Sequence, residues 1–279
     1  MERLHFFERL ERENNYQHEY EKLEQLCAEE YATDPWGNSI SINKWIGANF
    51  SYWKKRSNYC SYNEVREQLG FCTEKNHLGM YNVYPGVGLN EYILFCEMLI
   101  NIICGLENKM EHHLKHVISV LIDTIKITVD KAGLEIKQLN GDFIIVTKNA
   151  SAIEVAETNP KIADTVIEYN QYLLRGDLKR KKELLKIMAD NLELERSKLE
   201  QICSRNTKDY FYLVNNMDIR HNNCNPNDAS KYNEKFANLS DADKEKWYDL
   251  IYSQGLYLFI SLEQQERNAM IDDFKTKTS

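Results

Sequence analysis

Four prolines and eleven glycines are all that interrupt 279 residues. A turn-rich β fold needs such residues at most of its connections, because they supply the backbone angles that tight turns require. Their scarcity points to long helices. The expected fold class is mainly α: a helical bundle with one β-hairpin between N- and C-terminal helical parts. Expected boundaries are 1–133 for an N-terminal helical region, 134–148 for the hairpin junction and 149–279 for a C-terminal helical domain.

The hairpin expectation rests on Leu134-Glu-Ile-Lys-Gln-Leu, then Asn140-Gly141, then Asp-Phe-Ile-Ile-Val-Thr. Alternating apolar residues around Asn-Gly are the strongest short-range hairpin signal. Two strands alone are marginal, so this pair must pack on helices.

Helical stripes occupy most of the remainder. Leu4, Phe7, Leu10, Tyr20, Leu23 and Cys27 make an amphipathic pattern over residues 2–30, ended by the turn signal Asp34-Pro35-Trp36-Gly37-Asn38. Ser61 and Glu64 form a capping box that opens a short helix over 61–70. Residues 71–90, with Gly79, Pro85, Gly86 and Gly88, read as a long loop. Tyr92 to Cys104 is the most apolar run, too short and too interrupted to span a membrane, so a buried helix with a break at Gly105 is expected. From Pro160 the pattern returns. Val166, Tyr169, Leu173 and Leu174 form one stripe, and Leu185, Met188, Leu192, Leu199 and Ile202 predict one helix over about 178–214, with Glu195 in an apolar slot. That seam suits a coiled coil or an internal bundle helix equally. Ser240, followed by Asp241 and Asp243, caps a last helix over 241–270, in which Gly255 allows close helix approach.

The charge of −8 excludes broad electrostatic binding of nucleic acid and confines any such contact to one face. Seven scattered cysteines without a CxxC pair, and a densely charged Met1–Tyr20, predict a cytoplasmic protein with reduced thiols and no secretory signal. Trp45, Phe50, Tyr52, Trp53 and Tyr59 surround Lys54, Lys55 and Arg56, which suits either base stacking or anchoring of an irregular segment. His112 and His116 share a helix face beside Glu111 and His113. No third ligand is identifiable, so the expectation is a solvated face with no metal and no cofactor.

Residues 215–227, Asn-Asn-Met-Asp-Ile-Arg-His-Asn-Asn-Cys-Asn-Pro-Asn, carry more chemistry than a helix connection needs. Arg220 supplies a permanent planar cation for phosphate or carboxylate. His221 is the side-chain type whose ordinary pKa lies near neutrality. One reading makes this a functional site, with Arg220 on a phosphate, His221 as base, and Asn216, Asn222 and Asn223 orienting the substrate. Lys179, Arg180 and Lys182, within the basic stretch 175–186, would extend it toward RNA. The other reading is a structural junction, in which Arg220 pairs with a carboxylate and the asparagines satisfy helix ends.

Residues 160–268 resemble the HEPN superfamily, in particular the HEPN-like domains of bacterial abortive-infection proteins. The resemblance is carried by Tyr169-Asn170, Leu174-x-Gly176-Asp177, Lys181-Lys182-x-x-Leu185, Asn215-Asn216-x-x-Ile219-Arg220-His221-Asn222-Asn223 and Trp247-Tyr248-Asp249. It implies a bundle of about four helices that often dimerises. Active members of that family are metal-independent ribonucleases whose Arg and a following polar residue precede a more distal His. Arg220 and His221 match the first two positions, while Asn225-Pro226-Asn227 stand near the third and no His follows His221. The resemblance therefore implies either a phage-defence endoribonuclease using Arg220 and His221, or a non-catalytic binding module for a nucleotide, RNA or partner protein in a defence or toxin–antitoxin system. A homodimer with RNA as partner, and no membrane contact, is expected.

Overall fold

A computed structural model describes residues 15–33, 37, 39–71, 86–110, 112–228 and 230–278. The expected apolar positions Leu4, Phe7 and Leu10, most of the Asp34–Asn38 turn, the loop up to Pro85, and Glu111 lie outside these residues. The fold is mainly helical, with small antiparallel strand pairs, and divides into two compact units, Met1–Ile145 and Val146–Ser279.

The first unit holds helices α1 (Tyr16–Ala28), α2 (Ile42–Asn49), α3 (Tyr62–Gln68), α4 (Leu89–Gly105) and α5 (His112–Lys131). Strands β1 (Ala32–Thr33) and β2 (Ser39–Ile40) add a second small ladder beside the expected hairpin. Two residues per strand are too few to show alternation in a sequence. Ser61 Oγ accepts the Glu64 N–H at 3.2 Å, so α3 starts at its predicted cap. Position 105, where α4 ends, is confined to glycine for a steric reason: a Cβ there would overlap the Trp53 ring. Nine α4 side chains are buried, which explains why its sequence is apolar nearly all round.

The aromatic segment after α2 is an anchor. Trp45 and Phe50 are buried, Trp45 Nε1 donates to the Lys109 carbonyl at 3.0 Å, and Lys109 lies over the exposed Tyr52 ring. Lys55 pairs with Asp142. Strands β3 (Leu134–Leu139) and β4 (Asp142–Thr147) pair across Asn140 and Gly141, both with positive φ as an Asn-Gly turn demands. Asn101 fixes β4 by exchanging hydrogen bonds with Phe143 N–H (2.8 Å) and C=O (2.7 Å).

The second unit is a helical bundle of α6 (Ala150–Thr158), α7 (Ala163–Tyr169), α8 (Leu178–Leu194), α9 (Arg196–Asn216), the short α10 (Glu234–Ala237) and α11 (Asp241–Thr278). Helix α6 precedes the point where the helical pattern was expected to resume. Asn149 caps it, accepting the Ala152 N–H at 3.1 Å. The single helix expected over 178–214 is broken at Glu195 and again at Cys203, where φ −145° and ψ 61° put a kink inside α9. At Glu195 the N–H turns back to the Leu192 carbonyl (3.1 Å), while its carbonyl accepts from Leu199 (2.9 Å) and opens α9. Leu192 and Leu199 are both fully buried, so the apolar stripe crosses a break that only the polar Glu195 betrays.

Helix α11 crosses α8 and α9 at Gly255, where a Cβ would stand 3.1 Å from Met188 Cε and 3.3 Å from Tyr210 Cε2. It also runs past residue 270, to Thr278. Its exposed end is laced by the pairs Arg267–Glu263, Lys275–Asp272 and Lys277–Asp273, which support helix without a buried face.

Candidate functional site

The stretch 215–227 begins in the last turn of α9 and leaves it as a folded loop. Asp218 sits in the left-handed region at φ 60°. That conformation is held from both sides: Asp218 N–H donates to Asn223 Oδ1 (2.9 Å) and Cys224 N–H donates to Asp218 Oδ1 (3.2 Å). Asn223 is buried, and its Nδ2 donates to the Lys231 carbonyl at 2.6 Å. Asn216 Nδ2 donates within its own helix to Tyr212 O, and its carbonyl accepts from Asn233 Nδ2 at 2.9 Å. Asn222 is exposed and its carbonyl accepts from Asn225 N–H.

Arg220 points back into its own unit. Its Nη1 donates to Glu193 Oε2 at 2.7 Å, and its Nη2 donates to the Ala189 carbonyl at 2.8 Å and to Asp190 Oδ1 at 3.3 Å. The guanidinium also lies over the Phe211 ring, 5.5 Å from its centroid. Burial pushes the Glu193 carboxyl up, but hydrogen bonds from Arg220 and Arg196 outweigh it and hold the group below the ordinary carboxylate range. This is the arrangement expected of a structural junction. His221 differs: it is half-buried, and among the described residues its imidazole makes no hydrogen bond. The chain thus places Arg220 and His221 together by sequence while giving them different surroundings.

Half of the basic side chains in 175–186, namely Arg180, Lys181 and Lys182, are neutralised internally. Arg180 grips Glu168 with two bonds of 2.5 and 2.9 Å and also reaches Glu183. Lys182 pairs with Asp218 at 2.7 Å. Lys179 remains exposed without a side-chain partner among the described residues. Of the three cations singled out for RNA, one is free to meet an external phosphate. His112 and His116 are exposed, and among the described residues no group of three His, Cys, Asp or Glu is disposed to hold a metal ion.

A second constellation gathers four of the five motif segments. Tyr169, Asn170, Lys181 and Asp249 line a cleft of about 560 Å³, walled by the first turns of α11 and by the loops around Asn149 and Gln171, and Gly176 is hydrogen-bonded to its Glu245. Lys181 lies at its base, only 5 % exposed, and donates to Asp249 Oδ1 at 2.7 Å with Glu245 Oε1 at 2.8 Å. Tyr169 OH donates to the same Asp249 oxygen at 3.0 Å, and Gly176 N–H to Glu245 Oε1 at 2.8 Å. Tyr169 stacks on Tyr252, 3.9 Å between centroids and 9° from parallel. Asn170 Nδ2 donates to Tyr252 OH, which in turn donates to the Val166 carbonyl at 3.1 Å.

The electrostatics follow from burial. Burial, then the Asp249 charge, pushes the Tyr169 phenol far above its ordinary value, so this hydroxyl is a donor and not a base. Burial alone would raise Glu245, yet Lys181 and the Gly176 N–H hold it below the usual carboxylate range. A buried lysine flanked by two carboxylates fixes its neighbours in place. Only the quoted motif segments flagged Tyr169, Lys181 and Asp249, which were not singled out as site residues. Glu245 left no trace beyond standing one helical turn before Asp249.

Comparison with known proteins finds no matching family model, no matching curated protein and no matching solved structure.

Proposed function

We propose that this chain is a non-catalytic helical binding module of a HEPN-like bacterial defence or toxin–antitoxin protein, working as a homodimer in the reducing cytoplasm. The observation that carries this reading is the commitment of Arg220 to Glu193, Asp190 and the Ala189 carbonyl. A metal-independent ribonuclease needs a cation free to stabilise charge building on the phosphate. Here the cation is already paired, and two carboxylates beside it repel an incoming phosphate. The absence of a His after His221 acts in the same direction.

The second reading is an endoribonuclease centred on Arg220 and His221, and the hydrogen-bond-free imidazole of His221 favours it. RNA integrity in cells expressing wild type, Arg220→Ala and His221→Ala separates the two. The binding module predicts intact RNA in all three at equal expression, with partner binding by the purified chain that survives His221→Ala. Discrete cleavage and growth arrest in wild type alone would replace it with the enzyme. Sedimentation of the purified chain checks the dimer.

A further inference from the structure

Helices α1, α2 and α3 of the first unit leave a groove of about 510 Å³ between them. Glu21, Glu24, Gln25 and Ala28 line it from α1, so it follows one helix face for about 10 Å. Its charges are sorted by place. Both acidic lining residues stand on α1, and the basic ones, Lys44 and Arg66, stand on α2 and α3. At the base, Arg66 and Glu24 are committed to each other. Arg66 is 3 % exposed, lies over the Tyr62 and Phe95 rings, and donates to both Glu24 oxygens. The ends are not closed in this way. Glu21 accepts from Gln17 on Oε1 alone, which leaves Oε2 open at one end. Lys44 reaches Ser39 and Glu30, just beyond the last turn of α1, which places it at the other end with a third ammonium hydrogen unused. Gln25, Asn43 and Asn63 bring one carboxamide from each helix, and none makes a side-chain hydrogen bond among the described residues. Asn43 Oδ1 is buried there without a donor. Gly47 of α2 also lines the groove, with neither a positive φ nor a neighbouring atom within 4 Å of the place of a Cβ. Glycine is a poorer helix former than alanine, and what it keeps here is open space.

We propose that this groove binds a short free peptide, with its ammonium on Glu21, its carboxylate on Lys44 and its backbone amides on Gln25, Asn43 and Asn63. About three extended residues match the length of the lined face. A carboxamide both donates and accepts, as a peptide unit does, so three of them answer successive N–H and C=O groups without selecting side chains. Opposite charges at the two ends then fix the direction of the bound chain and its length. The volume lies in the range of small-molecule sites. Competing ligand classes fit less well. A polyamine carries a cation to Lys44, and a dicarboxylate carries an anion to Glu21. A single amino acid is too short to join the ends, since its ammonium and carboxylate share one α-carbon. A protein terminus supplies one of the two charges and lacks the other.

The groove belongs to the first unit and shares no residue with 160–268, so the proposal goes beyond the binding-module reading and stands apart from RNA cleavage or sedimentation. Native mass spectrometry of the full chain with a mixed tripeptide library finds the tightest ligand, and calorimetric titration measures it beside single amino acids, spermidine and glutarate. Tripeptides are expected to bind more tightly than any of these. N-acetylation or C-amidation of the tightest tripeptide should each weaken binding about tenfold or more, equivalent to one lost charged contact. Glu21→Gln should remove the response to acetylation alone, and Lys44→Met the response to amidation alone, because each modification then meets no charge. Gly47→Leu, which has room for its side chain, should close the groove and abolish binding, while Lys179→Met in the other unit leaves it unchanged. A thermal melt of each variant separates lost binding from lost folding, and Gly47→Ala, a smaller obstruction, should fold at least as stably as wild type. Silence with the library at millimolar concentration overturns the proposal, as does binding unaltered in a folded Gly47→Leu. Equal affinity for free and doubly blocked tripeptides, or tighter binding of spermidine or glutarate, overturns it as well.

Discussion

Arg220 Nη1 donates to Glu193 Oε2 at 2.7 Å, joining the loop after α9 to the last turn of α8 across 27 residues of chain. Arg220 Nη2 also reaches into α8, donating to the carbonyl of the buried Ala189 at 2.8 Å. Arg220→Ala should therefore lower folding stability by about 2 kcal/mol, the scale of a lost charge-assisted hydrogen bond with some burial. Arg220→Lys should recover little, because a single ammonium cannot serve both acceptors and the Phe211 ring. The folded-state pKa of Glu193 is depressed from its ordinary 4.5, so its contribution is complete above that value and fades as pH falls through the depressed one. Denaturant melts of wild type and Arg220→Ala should converge on acidification.

Asn223 holds the left-handed Asp218 turn by accepting from Asp218 N–H and donating to Lys231 O. Asn223→Ala strands both backbone groups in a site where the side chain is 2 % exposed. The expected cost is about 1–3 kcal/mol. Hydrogen exchange should rise first at residues 217–224, since those amides depend on the turn. Unchanged exchange there would show that the loop is held by something else.

The elements legible in the sequence were those governed by neighbours in the chain. Asn140-Gly141 specified its hairpin because the turn type needs positive φ at both positions, and Ser61 marked α3 because a cap acts within three residues. The break at Glu195 was obscured because Leu192 and Leu199 face one core on both sides of it. The candidate sites divide in the same way. Arg220 was visible as a residue, but Glu193 was not identifiable as its partner, because nothing local links positions 27 apart. Lys181, Glu245 and Asp249 come together only when α8 packs on α11, and a charged run cannot reveal which of its members is buried.

Gly255 marks the closest approach of α11 to its neighbours, with Met188 Cε and Tyr210 against the place of a Cβ. Gly255→Leu should overpack this crossing and cost about 1–3 kcal/mol or more. Pairing it with Met188→Ala frees space on one side only, so the double variant should recover part of the loss. A strictly additive double variant in thermal melts would deny the contact.

Burial raises the phenols of Tyr169, Tyr210 and Tyr252 above their ordinary 10.0, with the Asp249 charge adding to Tyr169. The folded protein holds these protons more tightly than the unfolded chain does. Their contribution is thus complete below pH 10 and is lost progressively above it. Tyrosinate absorbance from these three buried residues should appear only in a cooperative phase coincident with loss of helical circular dichroism. Smooth titration of all tyrosines without unfolding would contradict the burial argument.

Lys181 keeps Glu245 and Asp249 compatible on one turn of α11. Lys181→Met retains most of the buried stem but leaves two carboxylates without their shared cation. At neutral pH the variant should lose about 2 kcal/mol, less than a fully buried pair would, because Asp249 is half exposed. The pH response should invert. In wild type Glu245 is depressed, so its contribution is present above the ordinary 4.5 and fades as pH falls through the lowered folded value. In the variant Glu245 keeps the burial that raises its carboxyl and loses the Lys181 contact that lowers it, so protonation on mild acidification relieves the strain and stability rises as pH falls toward that range. Denaturant midpoints measured between neutral and mildly acidic pH should approach the wild-type value in Lys181→Met while the gap for Lys179→Met, an exposed neighbour, stays small throughout. Parallel pH profiles for wild type and Lys181→Met would remove the shared cation from the account of the cleft.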